Sequence, residues 1–409
     1  MSASLTHHRD LRTGRSPWMA RRGKVLSRTA LPRRSACDVL VVGAGISGAL
    51  IAEQLSDAGL RVIVVDRRRP VSGSTLASTA LLQYEIDVPL CKLARAMGRE
   101  RAERIWRRSK LPVDALRERT ERLGIRAATA SRATLYLDGD LLDADGLALE
   151  ADARRRAGFE VELLDPTALA ARFGIIGRHG IVGYGNYSAD PRQLAAGYLQ
   201  VALSRGAMLH SPVDIAGFET GQGRVLAHST GGHEIDAGAI VLASGYETVR
   251  GVPARGNRIT STWAIGTRAQ PRAIWPEAAM VWEAAQPYLY IRTTPAGEVI
   301  CGGEDEPIAD AAQRDSLTAQ KAAILAEKLG RLFPALDTRP AFAWAGTFGE
   351  SPCGTPTIGR IPGKPHCYAA MGYGGNGITF AMMAAQMLRG MILGSGDPDA
   401  DLTAFVKRP

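Results

Sequence analysis

The glycines of Gly43-Ala44-Gly45-Ile46-Ser47-Gly48, followed 23 residues after the first by a carboxylate at Asp66, have the types and spacing to hold a pyrophosphate and a ribose. Gly43 permits a tight turn, Gly45 lets backbone approach the phosphates, and Gly48 lets a helix pack closely on a strand. The helix start that follows offers unpaired N–H groups and a positive dipole end to the same anion. Asp66 can accept hydrogen bonds from ribose hydroxyls. Its charge opposes a 2′-phosphate, although Arg67 stands beside it. A second glycine-rich run, Gly372-Tyr373-Gly374-Gly375-Asn376-Gly377, opens an apolar stretch from Ile378 to Leu393. A helix N-terminus aimed at a flavin ring would stabilise the negative charge that gathers at N1 and O2 on reduction, which favours a flavin over a nicotinamide dinucleotide.

These residues need elements to place them. Asp38 to Val42 is an apolar run of strand length, Ala49 to Ala58 is amphipathic and closed by Gly59, and Leu60 to Val65 is a second β-branched run ending at Asp66. That is a βαβ unit with a right-handed crossover. Ser74 to Ala80 is small and hydroxyl-rich, suited to backbone passing a ligand. Residues 89 to 124 read as helical with a charged face. Asp190-Pro191 starts a helix to Arg205, and strands are expected at Gly206 to Val213 and Ala239 to Gly245. From about 255 to 345 the pattern turns to β segments with aromatics, Tyr288 to Arg292 and Glu298 to Gly303, broken by a helix at Leu317 to Leu332.

The expected fold class is α/β: a Rossmann-like dinucleotide domain assembled from discontinuous segments, with a mixed α+β substrate domain whose sheet is mainly antiparallel. The expected boundaries give residues 38–88, 150–220, 239–254 and 341–409 to the first and 89–149, 221–238 and 255–340 to the second.

Composition narrows the class. With 409 residues, 45% hydrophobic and 22% charged, the chain can bury a large core. Its +9 charge sits almost wholly in residues 1–37, where nine Lys and Arg face one acid, Asp10. We read this segment as a solvated or loosely docked basic arm, and the near-neutral remainder as no nucleic-acid binder. No run approaches the roughly 18 apolar residues of a membrane span, and the arm lacks the apolar core of a secretion signal, so a cytoplasmic protein is expected. Cys37, Cys91, Cys301, Cys353 and Cys367 are scattered and form no C-x-x-C pair, and the seven histidines show no ligand spacing. Neither a disulfide framework nor a metal site is indicated.

Taken together, the motifs resemble the D-amino-acid oxidase superfamily of FAD-dependent amine and amino-acid oxidoreductases, which includes glycine oxidase, sarcosine oxidase and D-amino-acid dehydrogenase. The likeness runs over most of residues 38–393. It rests on Asp38 to Gly48, the Ser74 to Ala80 loop, Tyr290-Ile291-Arg292 with Gly297 and Gly302-Gly303-Glu304-Asp305, and Trp344 to Gly359 leading to Gly372 to Gly377. It implies that Ser78, Thr79 and Ala80 lie along the pyrophosphate and flavin, that the Val213 backbone meets adenine, and that Ala243, Ser244 and Gly245 pass beside the cofactor. Gly374, Gly375, Asn376, Gly377 and Ile378 would approach the pyrimidine side. Where some sarcosine-oxidase-like members tether flavin through cysteine, this chain has Gly346, which implies non-covalent FAD, with Cys353 nearby. Where some carry an oxygen-activating lysine, it has Ile300, so the electron acceptor is oxygen or another molecule.

The chemistry implied is hydride transfer from the carbon bearing nitrogen of a small amine or amino acid to flavin N5, giving an imine that hydrolyses. Arg292 is the candidate clamp for a substrate carboxylate. Tyr246 and Tyr290, with Tyr288 and Trp344, are candidates for the pocket wall, and Tyr84 and Glu85 are further ones. Two alternatives stay open: a flavoprotein of another reaction type, such as an NADPH-dependent monooxygenase, and a non-catalytic FAD-binding protein.

Overall fold

The computed structural model describes residues 3–21, 23, 25–253, 258–351 and 354–405. At its centre five strands run parallel in the order Cys367–Met371, Glu234–Leu242, Arg34–Val42, Val62–Val65, Met208–His210. Val62–Val65 is buried at every residue, as expected for a strand covered on both faces. Helix Ile46–Asp57 lies between helices Gly377–Leu393 and Pro191–Ser204, and every residue from Ser47 to Ser56 is buried. The Pro191 helix starts where Asp190 accepts hydrogen bonds from the N–H groups of Arg192 and Gln193, both at 3.0 Å.

Among the described residues the second sheet has ten strands and is antiparallel except where Met280–Glu283 runs parallel to Ala130–Leu137. Helix Thr318–Leu332 covers its back through Leu325 and Leu329. The opposite face, carrying Thr262, Tyr288 and Tyr290, turns toward the glycine-rich loops of the first sheet. This is the α/β architecture with a second, mainly antiparallel sheet that the motifs imply.

Strand pairing divides the chain differently from the expected boundaries. Phe342–Glu350 pairs along its whole length with Arg258–Gly266, and Leu81–Leu82, Val161–Leu164 and Gly180–Ser188 also join the second sheet. The hairpin Ile215–Gly221/Arg224–Ser229 instead extends the parallel sheet through Glu234–Leu242. Ladder partners far apart in sequence decide membership, and local composition does not carry them.

The described residues before Asp38 are no loose arm. Arg12–Gly14 forms an edge strand on Phe342–Glu350, Leu5, Leu11, Trp18 and Leu31 are buried, and Arg21 pairs with Asp190 and Glu298. The charge count hid four spaced apolar anchors and the acids that receive the arginines. Burying Trp18 alone contributes about 3 kcal/mol. Among the described residues no helix is long and apolar enough to cross a membrane.

Candidate cofactor and active site

Each glycine of the first motif meets a different neighbour. Gly43 has φ +117°, and a Cβ there would stand 2.3 Å from the Ala243 carbonyl oxygen; a Cβ on Gly48 would stand 1.8 Å from that of Gly43. Both clashes are with backbone, so the fold itself requires these two glycines. A Cβ on Gly45 would meet only the Thr75 hydroxyl, at 3.2 Å. Its open side faces the cleft at the start of the helix, where first-turn N–H groups have no acceptor inside the helix. Asp66 accepts from the Ala44 and Arg68 N–H groups, both at 2.7 Å. Burial pushes its carboxyl up against the pull of those two donors. Ser74 Oγ and Gln83 Oε1 also line the cleft, buried and without a hydrogen-bond partner among the described residues. Open backbone at a helix start, a carboxylate at a strand end and orphaned polar atoms along the same cleft fit a dinucleotide.

The N-terminal segment roofs this end of the cleft, with Leu5, Thr6 and Leu11 among its lining. Glu247 ties the roof down. It is buried, takes Arg67 and Arg68 as ion pairs, and accepts from Thr6 Oγ1 at 3.1 Å and the Arg9 N–H at 3.2 Å. Burial pushes its carboxyl up, but the Arg67 hydrogen bond and the two guanidinium charges bring it below the usual glutamate range.

Next along the cleft, four consecutive carbonyls each receive a side-chain donor. Leu76 O accepts from Ser16 Oγ (2.7 Å), Ala77 O from Trp344 Nε1 (2.9 Å), Ser78 O from Trp18 Nε1 (2.8 Å) and Thr79 O from Arg292 Nε (2.6 Å). Arg292 is thus no substrate clamp. Its Nη2 donates to Ala189 O at 2.8 Å, its guanidinium lies 4.9 Å from the Trp18 ring centroid, and it does not line the cleft. Burial away from any touching carboxylate lowers its pKa to about 9. Trp344 likewise lies beneath the loop and does not wall a pocket. Spacing along one strand could not show that the face carrying Arg292 is covered by residues 76–79.

At the far end the cleft is lined by Asp87, Thr262, Tyr246, Tyr288, Tyr290 and Tyr373. The Tyr246 hydroxyl donates to Gly374 O at 3.0 Å, and those of Tyr290 and Thr262 are 2.8 Å apart. Tyr290 lies on Gly302, where a Cβ would stand 2.3 Å from its ring. Burial raises the pKa of both tyrosines, so they present protonated hydroxyls at neutral pH. Asp87 accepts from the Gly375 N–H at 2.8 Å. Tyr84 and Glu85 are interior groups: Tyr84 stacks on Phe159 at 4.8 Å, and Glu85 bonds Thr134 and Asn186.

Most candidate cofactor residues converge on this one cleft: Gly43, Gly45, Ile46 and Ser47; Asp66 and Arg67; Ser74, Ser78, Thr79 and Ala80; Val213; Ala243, Ser244 and Gly245; Gly346; and Gly374, Gly375, Asn376, Gly377 and Ile378. Ala44, Gly48 and Gly372 do not line it. Ala44 serves through its N–H to Asp66, and Gly48 through helix packing. Gly346 faces Ala77, and Cys353 lies outside the described residues. Ile300 is buried in an apolar cluster with Trp18, Leu76, Ala264 and Trp344. Sequence reasoning missed Glu247, Asp87, Asp305 and the roof. Asp305 stood inside a quoted motif without a role, and the spaced Leu5, Leu11 and Trp18 were a readable sign of docking.

A family model described as "FAD dependent oxidoreductase" (DAO) matches residues 38–391. The Haemophilus influenzae protein named "Probable oxidoreductase OrdL" is 22% identical over 88% of this chain and 84% of its own length. Glycine oxidase of Pseudomonas aeruginosa is 25% identical over 87% of this chain and 94% of its own. The crystal structure of glycine oxidase from Geobacillus kaustophilus superposes with a TM-score of 0.74 at 20% identity, covering 92% of this chain and all of that one.

Proposed function

Because the chain belongs to the DAO family of FAD-dependent oxidoreductases, we propose that it oxidises the carbon–nitrogen bond of a small amine or amino acid. When bound, FAD supplies the acceptor for the hydride leaving the carbon next to nitrogen, and water hydrolyses the resulting imine. In this reading the Gly45 to Ser47 helix start faces the pyrophosphate, Asp66 and Arg67 the ribose end, and Gly374 to Ile378 the pyrimidine edge of the ring. The clamped carbonyls of residues 76–79 hold the Ser78 to Ala80 backbone still beside it. Tyr246, Tyr288 and Tyr290 wall the space where substrate lies and exclude water.

One observation carries the reading: two glycine-rich helix starts more than 300 residues apart line a single cleft, with a ribose-type carboxylate at one end and a tyrosine wall at the other. The relatives named glycine oxidase support an amine or amino acid as donor. With glycine at 346, the cofactor is held without a covalent bond.

The test is anaerobic. Protein reconstituted with FAD is mixed with amines and amino acids, and separately with NADPH, while the visible flavin absorbance is followed. Bleaching by an amine or amino acid alone is expected, and acid precipitation should leave the flavin in the supernatant. Bleaching by NADPH without an amine, or failure to take up FAD, would overturn the proposal.

A further inference from the structure

Carboxylates gather at the ring end of the cleft, where Asp87 is part of the lining and Asp305 and Glu350 lie behind it. Asp305 is the clearest case. It follows Glu304, which turns to the back of the sheet and binds Lys321 and Lys328, whereas Asp305 faces the cleft-lining hydroxyls of Thr262 and Tyr288. Both Asp305 carboxylate oxygens are closed to solvent, and among the described residues they form no ion pair; those two hydroxyls are their polar neighbours. Glu350 and Asp87 stand near enough to repel it, and Asp87 in turn repels Glu350. The cation beside this group is Arg258, next to Glu350. Among the described residues no group of three or more His, Cys, Asp or Glu side chains is arranged to hold a metal ion.

Desolvating a carboxylate with no cationic partner is costly, and such a group persists where a ligand supplies the missing charge. A substrate bearing its own carboxylate would add a fourth negative group here, and Arg292, the cation expected to receive it, is committed to the Thr79 loop. We infer that the substrate enters as a cationic amine without a carboxylate at the reacting carbon, and that Asp305, acting through the hydroxyls of Thr262 and Tyr288 and backed by Glu350 and Asp87, is the specificity-determining group whose charge draws its ammonium. The inference rests on carbon–nitrogen oxidation as the reaction and names the substrate class for that same site. The tyrosines supply the apolar wall around the carbon chain.

Burial, with repulsion from Glu350 and Asp87, raises the Asp305 carboxyl to about 7. Amines titrate near 10 and stay charged. Cation binding therefore strengthens as pH rises through neutrality and Asp305 ionises. Facing it are the acids Glu350 and Asp87, the phenols of Tyr288 and Tyr290, and the Thr262 hydroxyl.

Three compounds isolate the charge: norvaline, butylamine, which is norvaline without its carboxylate, and butane-1,4-diamine, which adds a second cation. Their binding to dithionite-reduced holoenzyme, where no electron can be transferred, is measured by calorimetry at pH 6 and pH 8. The expected order is diamine, then butylamine, then norvaline. Asp305→Asn should weaken diamine binding roughly 10-fold or more at pH 8 and remove its pH dependence. Glu350→Gln should give a smaller loss in the same direction and serves if the first variant folds poorly. Norvaline binding as tightly as butylamine, or an unchanged affinity in Asp305→Asn, would overturn the inference. Flavin bleaching with oxidised holoenzyme separates the two ideas. If norvaline both binds best and bleaches, carbon–nitrogen oxidation stands and the cationic preference falls. If the diamine binds best and only NADPH bleaches, the reverse holds.

Discussion

The two ends of the cleft treat buried charge in opposite ways. At the ribose end the Glu247 carboxylate meets Arg67, Arg68, Thr6 and the Arg9 backbone, and along the loop four successive carbonyls each find a donor. At the ring end Asp305 meets only the hydroxyls of Thr262 and Tyr288, and its charged neighbours are mostly of its own sign. A satisfied network fixes geometry and asks nothing of a ligand. An unsatisfied one stores a cost that a ligand of the right charge relieves. On this view the ribose end is architecture for a resident group, and the ring end is a receptor for a transient one.

The ribose end is most vulnerable at the first glycine motif. Gly48→Ala forces a Cβ against the Gly43 carbonyl oxygen, with backbone on both sides, and should abolish soluble, folded protein or lower Tm by more than about 10 °C. Gly45→Ala should fold, since only the Thr75 hydroxyl must shift, yet lose about 100-fold in FAD affinity because the methyl occupies the phosphate approach. Thermal melts of the apoproteins and FAD titration separate the two outcomes; equal behaviour of the pair would remove the distinction between packing glycine and ligand glycine.

Next in size is Trp18→Ala. It removes a fully buried ring, the donor to Ser78 O and the surface under Arg292, for a loss of about 3–5 kcal/mol. If the N-terminal segment is architecture, limited proteolysis will cut the variant before residue 34 and FAD will dissociate faster. A variant that melts lower but holds FAD normally would show that Trp18 serves packing alone.

What the sequence made legible follows from the range over which each signal acts. Gly43, Gly45, Gly48 and Asp66 belong to one βαβ unit, so their roles are written in local spacing, and the second glycine run announces itself by opening an apolar helix. Arg292 was misread because its partners, Thr79 and Ala189, are brought to it by the fold. The arm was misread because a net charge says nothing of where Leu5, Leu11 and Trp18 point. Asp305 was invisible for the complementary reason: its distinction is the lack of a counter-ion among the described residues, which no spacing encodes. Local geometry is legible from residue types, whereas the pairing of charges is a tertiary property.

A subtler difference is the most discriminating, because the two ends should respond to pH with opposite sign. Glu247 titrates below its ordinary value, so its contribution to stability is present above pH 4.5 and fades as pH falls through its folded-state value. Asp305 titrates above its ordinary value, at about 7. Between pH 3.8 and 7 the folded chain therefore holds a proton that the unfolded chain has released, and this site makes the ligand-free protein more stable as pH falls across that window. Asp305→Asn removes the titration. It should raise the stability of the ligand-free protein at pH 8 by about 1–3 kcal/mol and flatten its profile from pH 8 down to 5, while leaving the acid limb below 4.5 in place. Glu247→Gln should do the converse, eroding the acid limb and lowering stability at every higher pH, because Arg67 and Arg68 then lose their shared partner. Denaturant melts of the three ligand-free proteins from pH 4 to 8 decide the matter. A wild-type profile that rises steadily toward pH 8, unchanged by Asp305→Asn, would mean that the ring-end carboxylate is already compensated and that both ends of the cleft are architecture.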